Sequence, residues 1–529
     1  MKKLYTLLFL LSITVQFSWA QRRYLDPMFP VLRTADVVFG KNIGVITGAP
    51  AAEDLKADIY TPAGDAKTDR PLVLIAHTGS FLPPLYNGQI TGARTDSAVV
   101  ATAAYLASRG FVVAAYTYRL GWLPTSPDQN ARTGSLLQAA YRGIQDTRSC
   151  IRYFKNQLQK TVTLMVSIHQ KYAYGGIGTG GYLALGTGSL NDFGEVTLPK
   201  FINTQTLLPF IDSTLLGNMY ATTQTPLCLP NHPAYSSNFQ ISVNLGGALG
   251  DSSWLDGEDI EPAYTGVHCT NDFFAPYYEG PVIVPTTNQF VIYATGTRKC
   301  IEVANNLGSN EILKNVDPVL DVLKSGIDAQ KATQTILPLT QQNILLGTDN
   351  FYGLDIPLIY NGKVTPQGSP WEWWDLNTLK VIVQIVNAQR GTNFNADTLH
   401  LNGLATNPDM SADKGKAYLD TVFRLALPRM CIALDLGCQA VGLKEVEASE
   451  IGLSISPVPA IHEVRFETKA EHPIRSVYIH DVHGRLIKAH SDINSASFVM
   501  PRNQLQAGFY IAQVRTKDNI VTKQIIIQD

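Results

Sequence analysis

The stretch YGGIGTGGYLALG, Tyr174–Gly186, admits two chemistries. Gly176, Gly178 and Gly181 fit G-x-G-x-x-G, the turn that lets a backbone approach a dinucleotide pyrophosphate. The same glycines fit the sharp strand-to-helix turn G-x-S-x-G, which holds a nucleophilic serine at its apex. In that register the apex residue is Gly178, so the nucleophile position is vacant. Thr179 does not replace it, because centring the turn there puts Ile177 where close packing demands a small residue. Thr179 instead follows the apex, where the backbone N–H helps form an oxyanion hole. Glycine at the apex also accepts φ > 0 freely and relieves about 1–3 kcal/mol of strain.

The elements around this turn choose between the two readings. From Asp54 to Gly186 short apolar strands alternate with long helical patterns: DLKADIYTP, PLVLIAHTG, the helix DSAVVATAAYLASRG, FVVAAYTYRLG, and the helix SLLQAAYRGIQDTRSCIRYFKNQL. That alternation predicts βαβ units and a doubly wound, mostly parallel sheet. A dinucleotide fingerprint opens the first βα unit, with an acidic residue about 20 positions later; here three strands and a long helix come first. No cofactor is therefore expected. Residues 187–236 read as a looser insertion, after which FQISVNLGGALGDSSWL, EPAYTGVHCTNDFFAPY and NQFVIYATGT resume the strand pattern. A helical stretch is expected around Ile301–Leu323. SPWEWWDLNTLKVIVQIVNAQ reads as a capped helix carrying Trp371, Trp373 and Trp374, with a core or cleft-lining role. The last helix, NPDMSADKGKAYLDTVFRLALPRM, has Asp409 or Ser411 as its N-cap.

Lys2 and Lys3 precede an apolar run, and FSWA ends it with small residues at Ser18 and Ala20. This pattern predicts a secretory signal peptide over residues 1–20. No later run approaches the ~20 apolar residues of a bilayer span, so no transmembrane segment is expected. The 529 residues carry a net charge of −2 and only 16% charged residues, without a basic stripe, so no nucleic acid is expected as a partner. The six cysteines include no C-x-x-C pair, which argues against a zinc ribbon or thioredoxin site, and Cys431–Cys438 is the most local candidate disulfide. Beyond about Glu450 the pattern becomes short alternating strands with Gly turns, an all-β module. Five of the ten histidines sit there (His462, His472, His480, His483 and His490) without metal-ligand spacing, and no metal is expected.

Four pieces together resemble the carboxylesterase/lipase branch of the α/β-hydrolase fold. HTGSF, His77–Phe81, ends a buried strand where that branch carries its oxyanion loop, which implies pocket roles for Thr78 and Gly79 beside Thr179. GIGTGGYLAL matches the elbow and its helix in all but the nucleophile. VNLGGALGDSSWLDG resembles the next strand and loop. GVHCTNDFFAPY resembles the stretch holding the triad acid, which implies that role for Asp272. In the chain order nucleophile, acid, base, the histidine that follows outside the β module is His400; His77 and His268 are expected to orient loops. The tail resembles the C-terminal sorting domain of type IX secretion cargo, on SISPVPA, VYIHDVHGRLI and LQAGFYIAQVRTKDNIVTKQIIIQ.

The expected organisation is a signal peptide over 1–20, an α/β-hydrolase-like domain over 21–445, a linker over 446–452 and a sorting domain over 453–529. The resemblance implies a secreted, surface-destined protein that engages the type IX machinery. With glycine at the apex, a pseudohydrolase that binds a small ester or glycan is expected. The alternative is an active ester hydrolase that uses Ser80, Ser97 or Ser252, or activates water through His400 and Asp272.

Overall fold

The computed structural model describes residues 22–160, 171–355, 358–360, 363–365, 367–438, 444–481, 486–490, 493–503, 505–517 and 519–528. The expected signal peptide lies outside them. The chain divides into two compact units, residues 1–439 and 440–529.

The first unit is built on an eight-stranded sheet. Its strands are β1 (Val31–Gly44), β2 (Ala51–Pro62), β3 (Leu72–Ala76), β4 (Val112–Tyr116), β5 (Tyr172–Ile177), β6 (Ile241–Leu245), β7 (Ala263–Cys269) and β8 (Phe351–Leu354). Their order across the sheet is β1-β2-β4-β3-β5-β6-β7-β8. β2 runs antiparallel to β1 and β4, and every pair from β4 to β8 is parallel. This is the doubly wound sheet of an α/β-hydrolase fold. β3, β4, β5 and β6 are buried along their whole length, because helices cover both faces, and this explains their unbroken apolar runs. α1 (Ser97–Ala107) and α7 (Ala412–Ala433) pack on one face, with Val99, Leu106, Val422 and Phe423 in a single core cluster. On the other face α2 (Gln129–Lys160) and α3 (Thr179–Ser189) contribute Ile144, Ile151, Leu183 and Leu185 to a second cluster. Among the described residues no helix is long and apolar enough to cross a membrane.

α2 also anchors the 187–236 insertion through buried polar side chains. Arg119 and Asp146 are fully buried and pair at 2.9 Å, and Gln145 and Arg152 donate to the carbonyls of Leu216 and Tyr220. Those bonds satisfy an insertion that has almost no regular structure of its own.

Three sequence expectations need correction. NQFVIYATGT does form a strand, Phe290–Gly296, but it lies in a small antiparallel sheet with Glu279–Ile283 and Ala248–Leu249. The main sheet takes β8 instead, from a segment without a legible pattern. The helix expected to Leu323 ends sooner: α4 (Thr297–Leu307) stops at Gly308, which adopts φ +94°. The three tryptophans precede their helix, because Asp375 caps α5 (Leu376–Arg390) by accepting the Thr378 N–H. α6 (Ala396–Leu404) follows, and Ser411 is the N-cap of α7. Cys431 and Cys438 form a disulfide, while Cys150, Cys228, Cys269 and Cys300 are free and buried.

The second unit is all β. Lys444–Glu445, Asn519–Ile527, Gly508–Arg515, Ser476–Asp481 and Leu486–His490 form one sheet; Ser454–Ser456, Glu463–Glu467 and Ser497–Pro501 form another. Val464, Phe466, Val477, Ile479, Met500, Val514 and Ile525 alternate inward and fill its core.

Candidate functional site

The carboxyl ends of β3, β5, β6 and β7 open onto one cavity of about 940 Å³. Ligands of open α/β sheets bind at this edge. Thr78, Gly79, Gly178, Thr179 and Asp272 all line it. α6 and the tryptophan segment close it from the other side through Leu399, Asn402, Trp371 and Trp374.

The strand-to-helix turn after β5 carries glycine at its apex. Gly178 adopts φ 54°, ψ −114° between β5 and α3. Its N–H donates to the Leu245 carbonyl at 2.7 Å, and its own carbonyl accepts the Gly181 N–H. Gly176 and Gly180 are obligatory, because a Cβ on either would run into the Gly180 or Ala76 backbone. A Cβ on Gly178 would stand 2.3 Å from Thr78 Oγ1 and 3.1 Å from Thr78 Cβ. Thr78 thus fills the space that a serine side chain at the apex would enter.

The loop after β3 is held from several directions. Trp122 Nε1 donates to Ser80 O, Gln89 Nε2 donates to Pro83 O, and Tyr118 Oη donates to His77 O. The Ser80 N–H is also engaged, since it donates to Thr179 Oγ1 at 2.7 Å. His77 stacks on Tyr118 and bonds the Thr78 carbonyl through Nδ1 at 2.6 Å. That bond makes Nδ1 the protonated nitrogen, and burial pushes the ring down to about 4. His77 positions the loop.

Asp272 lies in the turn after β7 and accepts the N–H groups of Phe274 and Ala275. Its other oxygen is 3.2 Å from Nε2 of His268, four residues earlier. His268 is fully buried, and its Nδ1 has no hydrogen-bond partner. Facing the carboxylate, Nε2 is the donor of this contact. Asp272 and His268 thus form a pair at the end of β7.

His400 lies on α6, where its Nδ1 accepts the indole N–H of Trp374 at 3.1 Å. Trp donates only, so the neutral imidazole carries its proton on Nε2 and has no lone pair left for a nucleophile's proton. The structure thus gives Asp272 a histidine other than His400. Among the described residues lining the cavity there is no histidine. Of the three alternative serines, Ser80 lines the cavity and Ser97 and Ser252 do not.

Glu372 also lines the cavity, and the sequence reading missed it because it was read as part of an aromatic cluster. Burial, with the nearby negative charges of Asp96 and Asp272, raises its carboxyl to about 8. Asp96 lies under the loop, accepting the Gly92 and Ala93 N–H groups, and burial raises it to about 6. Among the described residues no group of three or more His, Cys, Asp or Glu is arranged to hold a metal ion.

Comparison with known families decides the tail: residues 454–528 match the secretion system C-terminal sorting domain. The tail is a type IX C-terminal sorting domain. The sorting domain marks the protein for the cell surface or the extracellular space and for engagement with the secretion machinery. No curated protein matches the chain by sequence. Among solved structures it is similar to the apo form of Thermogutta terrifontis esterase 2, at 17% identity and a TM-score of 0.27, over 47% of this chain and 75% of that one. It is also similar to a bifunctional GH43-CE protein of Bacteroides eggerthii, at 15% identity and a TM-score of 0.29, over 46% of this chain and 29% of that one. At such scores the likenesses say nothing about activity, and the fold rests on this chain's own strand order and elbow.

Proposed function

We propose that the first unit of this exported protein is a pseudohydrolase, an esterase-like fold that binds a small molecule and does not cleave it. The observation that carries the reading is the pairing of Gly178 with Thr78: the apex has no side chain, and the Thr78 hydroxyl stands in the space of the missing one. Two further features support it. Among the described residues no histidine lines the cavity, and the nearby histidines are each engaged in a structural bond, His268 with Asp272, His400 with Trp374 and His77 with the Thr78 carbonyl. Losing the serine of a triad enzyme costs about 10⁶-fold in turnover, and what remains comes from binding and the oxyanion hole. Here the Ser80 N–H is already bonded to Thr179, so that residue should be smaller still.

The test is steady-state hydrolysis of short-chain nitrophenyl esters by the protein without its sorting domain. Turnover should not exceed that of the Gly178→Ala variant or buffer. Turnover at the rate of an ordinary esterase, abolished by Ser80→Ala, would replace this reading with a hydrolase whose nucleophile sits on the oxyanion loop.

A further inference from the structure

The charge lining the cavity is one-sided. Among its described lining residues there is no lysine, arginine or histidine, and the acidic side chains are Asp272 and Glu372. The remaining wall is largely aromatic and aliphatic, with rings from Phe81, Tyr182, Phe274, Trp371 and Trp374. Trp371 sits over Gly246 beside Asp272: a Cβ on Gly246 would lie 3.0 Å from the indole and 3.4 Å from Asp272 Oδ2. The Asp272 oxygen and the indole of Trp371 are thus contiguous.

The two carboxyls differ in their partners. Asp272 accepts three N–H donors and presents its carboxyl to the cavity. The Glu372 side chain makes no hydrogen bond with any described residue, although its backbone is held by Ser369 and Asn407. Glu372 is half-buried, so its carboxyl is open to the cavity and to whatever occupies it. A carboxylate or phosphate ester would find no counter-charge there and two acids in its way. A cation would find the negative faces of the rings and the two carboxyls together.

We propose that the cavity binds an organic cation, an ammonium group carried on an apolar body. The inference rests on the ligand-binding reading above and adds the ligand's class. The ammonium group lies between Trp371, Glu372 and Asp272, and the apolar body extends along the aliphatic wall formed by Leu136, Ile144 and Leu249. With no cation beside it, Glu372 keeps its proton near neutral pH, since burial and the charges of Asp96 and Asp272 raise it to about 8. His268 behind Asp272 and His400 behind Trp374 both spend their Nε2 or Nδ1 on those neighbours.

Three probes of nearly equal size separate charge from hydrophobicity: hexyltrimethylammonium, the neutral isostere 2-methyl-2-octanol, and octanoate. Four of the six tryptophans line the cavity (Trp122, Trp254, Trp371 and Trp374), so intrinsic fluorescence reports occupancy, with calorimetry as a check. The ammonium should bind at least about tenfold more tightly than the alcohol, the size of one desolvated cation–π contact. Octanoate should bind most weakly. Glu372→Gln should bring the ammonium's affinity down toward the alcohol's. Equal affinity for ammonium and alcohol, or tighter binding of octanoate, overturns the cation assignment and leaves a ligand-binding cavity standing. Saturable binding of none of the three overturns the assignment and removes the ligand-binding reading with it. Ester turnover would sink the pseudohydrolase reading and leave the charge preference intact.

Discussion

Gly178 and Thr78 are one hundred residues apart and share a single volume, which makes the elbow testable by a double-mutant cycle. Serine at position 178 must adopt φ 54°, a conformation that costs a side-chain-bearing residue about 1–3 kcal/mol. Its Cβ would also stand 2.3 Å from Thr78 Oγ1 and 3.1 Å from Thr78 Cβ. Rotating the β-branched Thr78 relieves the first contact but not the second, and overpacking of this kind costs about 1–3 kcal/mol more. Gly178→Ser should therefore destabilise the first unit by about 2–6 kcal/mol. Thr78→Gly removes the overlap, so the double variant should lose only the strain and the packing of one threonine. The assay is denaturant unfolding of wild type, both single variants and the double, with the slopes checked for constancy. The coupling energy should be stabilising and about 1–3 kcal/mol, the range for contacting residues. Additivity within about 0.5 kcal/mol would refute the reasoning, because it would mean that the two positions do not compete for space. Neither the single nor the double variant should gain esterase turnover, since an elbow serine would still find no histidine to take its proton.

Stability should fall on both sides of a mildly acidic optimum. Folding raises Glu372 from 4.5 to about 8, so the folded state binds its proton more tightly and loses stability as pH rises through that window; melting across pH should show this limb flatten in Glu372→Gln. Folding lowers His77 from 6.5 to about 4, so the unfolded chain binds that proton more tightly and stability falls as pH drops through this second window. Replacing Arg119 by methionine should cost about 3–5 kcal/mol in denaturant unfolding by leaving Asp146 charged and buried, and adding Asp146→Asn should recover part of the loss. Deleting residues 453–529 should leave the protein in the periplasm on fractionation; normal surface display would mean that the tail is not the export signal.

Much of this arrangement was legible because burial is written into the central strands. LVLIA, VVAAY and YAYGGI are apolar throughout, as strands covered on both faces must be, and the glycines after β5 announced a turn too tight for side chains. The sorting domain was legible from its switch to alternating strands. β8 was not, because FYGL is four residues whose burial comes from parallel pairing with β7 rather than from any run of its own. The helix after WEWW was displaced by a cap: Asp375 starts it where aromatic content alone put the start earlier. His400 was chosen from chain order, which carries no information about ring orientation, while His268 stood four residues from Asp272 at the same strand end. That spacing was the available signal. The role of Thr78 had none, since only the fold brings its hydroxyl onto the Gly178 apex.

The most direct test of the central claim is intact-mass spectrometry after incubation with a fluorophosphonate serine-hydrolase probe. A pseudohydrolase with no activated hydroxyl should show no mass increase under conditions that fully label an ordinary esterase, before and after Gly178→Ser. Stoichiometric labelling of the wild-type protein, mapped to a hydroxyl lining the cavity such as Ser80 or Thr78, would contradict it.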